Sequence, residues 1–94
     1  MSKELIQRAK KGDPVALNEL IERHKTMAYS IAFKYLKNKE DAEDVSQNAF
    51  LIVLNAIQKF RNESKFSTWL YKIIYHESIK ELKSKNRSLE YLPQ

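Results

Sequence analysis

Apolar residues recur at spacings of three and four along most of the chain, the period of α-helices buried on one side. Residues 3–10 place Leu5, Ile6 and Ala9 together, and Gly12, the only glycine, follows them as a suitable left-handed C-terminal cap. Asp13 can cap free amides, and Pro14 after it needs no amide at a first helical position, so a second helix is predicted from there to about Lys37. Its Leu17, Leu20, Ile21, His24, Met27, Ala28, Ile31, Ala32 and Tyr35 keep the helical period. At about 1.5 Å per residue it would be roughly 35 Å long, enough to act as a spine. Asn38, followed by Glu40 and Asp41 in a first turn, predicts a third helix reaching about Lys59. Residues 60–65 are polar and read as a loop. A fourth helix is predicted over residues 67–85, with Ser64 or Ser67 as candidate cap, while residues 88–94 hold a proline and little pattern and are expected to fray.

Projecting the third helix at 100° per residue puts Ala42, Val45, Ala49, Ile52, Val53 and Ala56 on a core face that Phe60 continues. Its alanines predict close approach of helix axes. The opposite face holds Asp44, Gln47, Asn48, Leu51, Asn55 and Gln58, with Leu54 at the border. A leucine among amides fits two readings: an ordinary isolated exposed residue, or the apolar anchor of a helix-on-helix interface rimmed by Asp44, Gln47 and Asn48. On the fourth helix Leu70, Tyr71, Ile74, Tyr75, Ser78, Ile79 and Leu82 form a broad apolar arc expected to meet the bundle. The remaining stripe is Trp69, Lys72, His76, Lys80 and Lys83.

Composition narrows the class. Ninety-four residues, 43% of them hydrophobic, suffice for one small core, and one glycine with two prolines is too little punctuation for a sheet protein. The predicted fold class is all-α, a compact bundle of about four helices. With no cysteine, disulfides, thiolate zinc sites and cysteine nucleophiles are excluded. The N-terminus is not a secretory signal and no apolar run could span a bilayer, so a cytoplasmic protein without membrane association is expected. The acids at residues 40–44 have no histidine at ligand spacing, His24 and His76 stand alone on separate helices, and a single glycine cannot build a phosphate loop. Neither catalysis, metal nor cofactor is expected.

The net charge of +5 suits a polyanionic partner, and its distribution says more than its total. Residues 38–63 carry five acids against three bases, while residues 65–87 carry six bases against two acids. The tryptophan at the head of a line of cations makes a plausible single-stranded nucleic-acid track, because any unpaired base offers a face to stack. Asn62, Ser64, Ser67 and Thr68 add amides and hydroxyls that can read the edges of a base that has left the duplex. The competing reading makes Trp69 core and the lysines a solvated face.

Three segments in order, GD at residues 12–13, DAEDVSQNAF at residues 41–50 and FSTWLYKI at residues 66–73, resemble conserved region two of bacterial RNA polymerase sigma factors, the extracytoplasmic-function group above all. The resemblance covers residues 12–87. It implies a single region-two domain that binds the polymerase β′ coiled coil and opens promoter DNA at the −10 element by capturing non-template bases. It places Asp44, Gln47, Asn48, Leu51 and Leu54 at the polymerase contact. Against DNA it places Asn62, Ser64, Lys65, Ser67, Thr68, Trp69, Lys72 and His76, with Lys80 and Lys83 continuing the stripe. An anti-sigma factor is a further possible partner. Ser46 and Asn48 depart from the aliphatic and acidic residues common in the family, which implies an altered polymerase affinity. A second helical domain that reads the −35 element in family members is not found in the sequence, so the chain reads either as an excised fragment or as a partner-dependent factor. Two other classes stay open: a helical regulator that reads duplex DNA, and a protein-interaction adaptor that never touches DNA.

Overall fold

The computed structural model describes residues 3–90, and the side chains of residues 3–86. Four α-helices follow one another: α1 (Lys3–Lys10), α2 (Pro14–Leu36), α3 (Lys39–Ala56) and α4 (Phe66–Glu90), with a 3-10 turn at Ile57–Lys59. The all-α bundle expected from the periodicity is the fold found. As a spine should, α2 packs against each of the other three helices.

The junctions follow the local chemistry. Gly12 adopts φ +90°, its amide bonding Ala9 O at 3.0 Å while the Asp13 amide bonds Arg8 O at 3.1 Å, which closes α1. The Asp13 carboxylate then accepts from the amides of Val15 at 2.9 Å and Ala16 at 3.4 Å, opening α2. Arg8 Nε donates to the same carboxylate and holds it below the usual value of 3.8. At the far end of α2, Lys37 takes the left-handed conformation with φ 54°. Asn38 accepts from the amide of Asp41 at 2.9 Å to start α3.

Two boundaries differ from the periodicity reading. The expected third helix tightens after Ala56 into the 3-10 turn, closed by Phe60 N bonding Ile57 O at 3.0 Å. The fourth begins at Phe66, where the carbonyl of Lys65 accepts from Thr68 and Trp69. Ser64 turns its hydroxyl to Lys65 O at 3.4 Å and does not cap a helix amide. The helix also continues to Glu90, beyond the expected end near residue 85. Residues 91–94, part of the tail expected to fray, lie outside the described residues.

The core takes Leu5, Ile6 and Ala9 from α1, Leu20, Ala28 and Ala32 from α2, Ala42, Val45, Ala49 and Val53 from α3, and Leu70 and Ile74 from α4. Ser46, Phe50 and Phe66 are buried as well, although the projection had not placed them in the core. Ser46 donates its hydroxyl to Ala42 O at 2.8 Å, satisfying it inside the helix. Ser46 therefore lies on the side of α3 that faces α2 and not on the exposed face. Tyr71 and Tyr75, expected within the bundle, are 39% and 38% exposed. Their phenol oxygens need polar company, and the rings sit at the α2–α4 edge: Tyr71 OH is 3.0 Å from Tyr35 OH, and Tyr75 meets the Tyr35 ring edge-on at 5.4 Å.

Candidate nucleic-acid and protein interfaces

Two chemically different surfaces emerge on this frame. On α3 the side chains of Asp44, Gln47, Asn48, Leu51 and Leu54 are all exposed, the two leucines to 58% and 41%. The helix face predicted to point outward does so. Gln47 also forms part of the rim of a groove of about 460 Å³ between α2 and α3, whose apolar walls are Ile21, Tyr29 and Phe50.

The second surface is the loop of residues 61–65 with the start of α4. All five loop residues are exposed, and Asn62 takes a positive φ of 59°, a conformation that asparagine tolerates better than most residues. Both flanks of the loop are pinned in the core by Phe60 and Phe66, whose rings meet edge-to-face at 6.0 Å. Trp69 packs on both, at 5.1 Å from Phe60 and 5.7 Å from Phe66, and is half-buried. The indole is thus partly core and partly surface, a brace under the loop with one side left to solvent. Lys10 of α1 adds a hydrogen bond from its ammonium to the carbonyl of Phe60.

The loop separates two clefts. The larger, about 760 Å³, brings together Asn62, Ser64, Lys65 and Ser67 with Lys3, Glu63 and His24. The smaller, about 270 Å³, is lined by Trp69 and Lys72 with Ser64, Lys59 and Arg61. Six of the expected nucleic-acid residues therefore line these two cavities, with Ser64 on both, and the ten do not form one pocket. Thr68 is exposed, and Lys72, His76, Lys80 and Lys83 are exposed along α4, giving the cationic stripe its predicted outward direction. Lys80 lies 3.6 Å from Glu77, a loose surface pair that leaves its charge facing solvent.

Sequence reasoning missed three contributors. Lys59 and Arg61 figured only as bases within an acidic segment, though their charge beside a polar loop was the signal. His24 was assigned to the apolar face of its helix. Nothing local could place it opposite a loop nearly forty residues away in the chain. Among the described residues no group of acids, histidines or cysteines is arranged to hold a metal ion, and no helix is long and apolar enough to cross a membrane.

Comparison with known proteins adds a consistent set of likenesses. The family model of sigma-70 region 2 matches residues 20–88. The chain is 35% identical over 85 residues to the ECF RNA polymerase sigma factor SigW of Bacillus subtilis, covering 90% of this chain and 46% of that protein. To the ECF RNA polymerase sigma-E factor of Escherichia coli K12 it is 39% identical over 69 residues, covering 73% of this chain and 36% of that protein. It thus spans half the length or less of these curated relatives. A solved NMR structure, an engineered region 2 of sigmaE in complex with GTAAAA, superposes with a TM-score of 0.83 at 35% identity, covering 96% of this chain and 99% of that one.

Proposed function

This chain belongs to the sigma-70 region 2 family, and on that premise we propose that it is the promoter-recognising module of a transcription initiation factor, a binding module and not an enzyme. Asp44, Gln47, Asn48, Leu51 and Leu54 form the face that docks on the β′ coiled coil of RNA polymerase. The loop of residues 61–65 and the exposed stripe of α4 take the non-template strand of the −10 element. The observation that carries this reading is the braced loop: polar, exposed, fixed at both ends by buried phenylalanines, and set between two clefts beside a line of basic side chains.

The energetics suit capture of unpaired bases. Extruding a base costs a few kcal/mol, and stacking on an aromatic ring offsets roughly 1–3 kcal/mol of it. Polar groups in the larger cleft, Asn62, Ser64, Lys65 and Ser67, supply hydrogen bonds for base edges, while Lys72, His76, Lys80 and Lys83 attract the phosphates. No nucleotide hydrolysis or metal is needed, because binding itself supplies the work. The setting is the cytoplasm, where polymerase is found, and the same α3 face is open to an anti-sigma factor that competes for it.

A pull-down by the polymerase β′ coiled coil, together with anisotropy titrations of single- and double-stranded −10 oligonucleotides, tests the proposal. Capture by β′ and a clear preference for the single strand are expected. Duplex binding as tight as single-strand binding, without polymerase, would instead support a duplex-reading regulator. Transcription from a cognate promoter that survives Trp69→Ala combined with Lys72→Ala would support an adaptor that never touches DNA.

A further inference from the structure

The wall of the larger cleft takes side chains from the helices as well as from the loop, and His24 is the one from α2. His24 on α2 is half-buried, its ring lies 4.9 Å from that of Phe66, and it lines the cleft with Asn62, Ser64 and Lys65. Its Nδ1 stands 2.7 Å from the carbonyl oxygen of Leu20. A carbonyl can only accept, so the proton of the neutral imidazole sits on Nδ1, and Nε2 keeps a bare lone pair. Among the described residues Nε2 has no hydrogen-bond partner. Turning the ring would break both the Leu20 bond and the Phe66 contact, so the lone pair is a fixed acceptor. Elsewhere on the cleft the ammonium groups of Lys3 and Lys65 can only donate, while the hydroxyls of Ser64 and Ser67 and the Asn62 amide can turn to donate or accept.

Resting on the nucleic-acid reading above, we propose that His24 is a specificity-determining residue for the captured base, selecting an exocyclic amine, adenine N6 or cytosine N4. Guanine and thymine carry a carbonyl at the same place. The amine donates to Nε2, whereas a carbonyl there sets two lone pairs against each other. The surrounding donors then serve the ring nitrogens and, for cytosine, the remaining carbonyl. Glu63 is the other side chain on the cleft that can only accept, but it stands exposed on the loop, where water competes for its carboxylate.

The test uses single-stranded hexamers in the GTAAAA frame found with the structural neighbour. Each adenine in turn is replaced by deoxyinosine, which exchanges the amine for a carbonyl with little change of shape, and binding is followed by anisotropy. The wild type should lose about tenfold at one position. His24→Phe, which keeps a ring against Phe66, should bind both hexamers of that pair alike, and His24→Gln, with an amide oxygen, should regain part of the preference. The charged groups facing it are Lys3 from α1 and Glu63 and Lys65 from the loop, and Glu63→Gln, which removes the loop carboxylate, should keep the inosine loss. Retention of the inosine loss in His24→Phe, its disappearance in Glu63→Gln, or its absence from the wild type would overturn the assignment while leaving the nucleic-acid reading intact. A wild type that binds no hexamer in preference to duplex would overturn both.

Discussion

Leu51 and Ser78 are two residues whose surroundings sit poorly with their chemistry. Leu51 offers an apolar side chain to water among amides, so its replacement costs the fold little and a partner much. We expect Leu51→Arg to leave the circular dichroism spectrum unchanged and to weaken capture by the β′ coiled coil at least tenfold; loss of helicity in that variant would refute the exposed placement. Ser78 is the converse case, fully buried on α4, with a hydroxyl that finds no hydrogen-bond partner among the described residues. An unmet buried hydroxyl costs about 1–3 kcal/mol, and alanine fits the same space. Ser78→Ala should therefore raise the stability by about 1 kcal/mol in urea denaturation, and a destabilised variant would show that the hydroxyl is satisfied.

At the scale of elements, α4 divides into a buried stripe and a cationic one, and the second is open to a quantitative check. If Lys72 meets a phosphate, Lys72→Ala should reduce the slope of log affinity against log salt for a single strand by about 0.7, whatever the base sequence. An unchanged slope would mean that this ammonium stays in solvent. The outward direction of Lys72, His76, Lys80 and Lys83 was legible from the sequence, as were the cap at Asp13, the left-handed Gly12 and the exposed leucines of α3. What escaped was the winding of the core face. Phe66, Leu70, Ile74 and Ser78 are buried at steps of four, and each such step advances about 40° around the helix. A single flat projection smears that stripe into a broad arc, which swept in Tyr71 and Tyr75, while Phe66 was missed because the helix was expected to begin only at residue 67. On α3 the series Ala42, Ser46, Phe50 runs at the same step of four, and the projection missed its last two members for the same reason. The division of the loop into two clefts was beyond reach, since it depends on Lys3 and His24 arriving from distant parts of the chain.

For the whole molecule, the close approach of the helices is the property that holds both surfaces in register. Ala16, Ala28 and Ala32 of α2 and Ala42 and Ala49 of α3 are buried without residue, so there is no slack where the axes meet. Ala32→Leu should cost about 1–3 kcal/mol by overpacking, read as a fall in the urea midpoint with the slope of the transition preserved. Further from the centre, the ammonium of Lys85 pairs with the carboxylate of Asp41, tying the later part of α4 to the beginning of α3. Near the opposite end of α3, the indole of Trp69 rests on Phe60 and Phe66 together. It is the only tryptophan in the protein, which gives the molecule a built-in optical probe. Excited selectively, it reports from beside the two aromatic anchors of the loop, so the colour and yield of its fluorescence follow the filling of the smaller cleft, which it lines, without a dye, a tag or a second chromophore to disentangle.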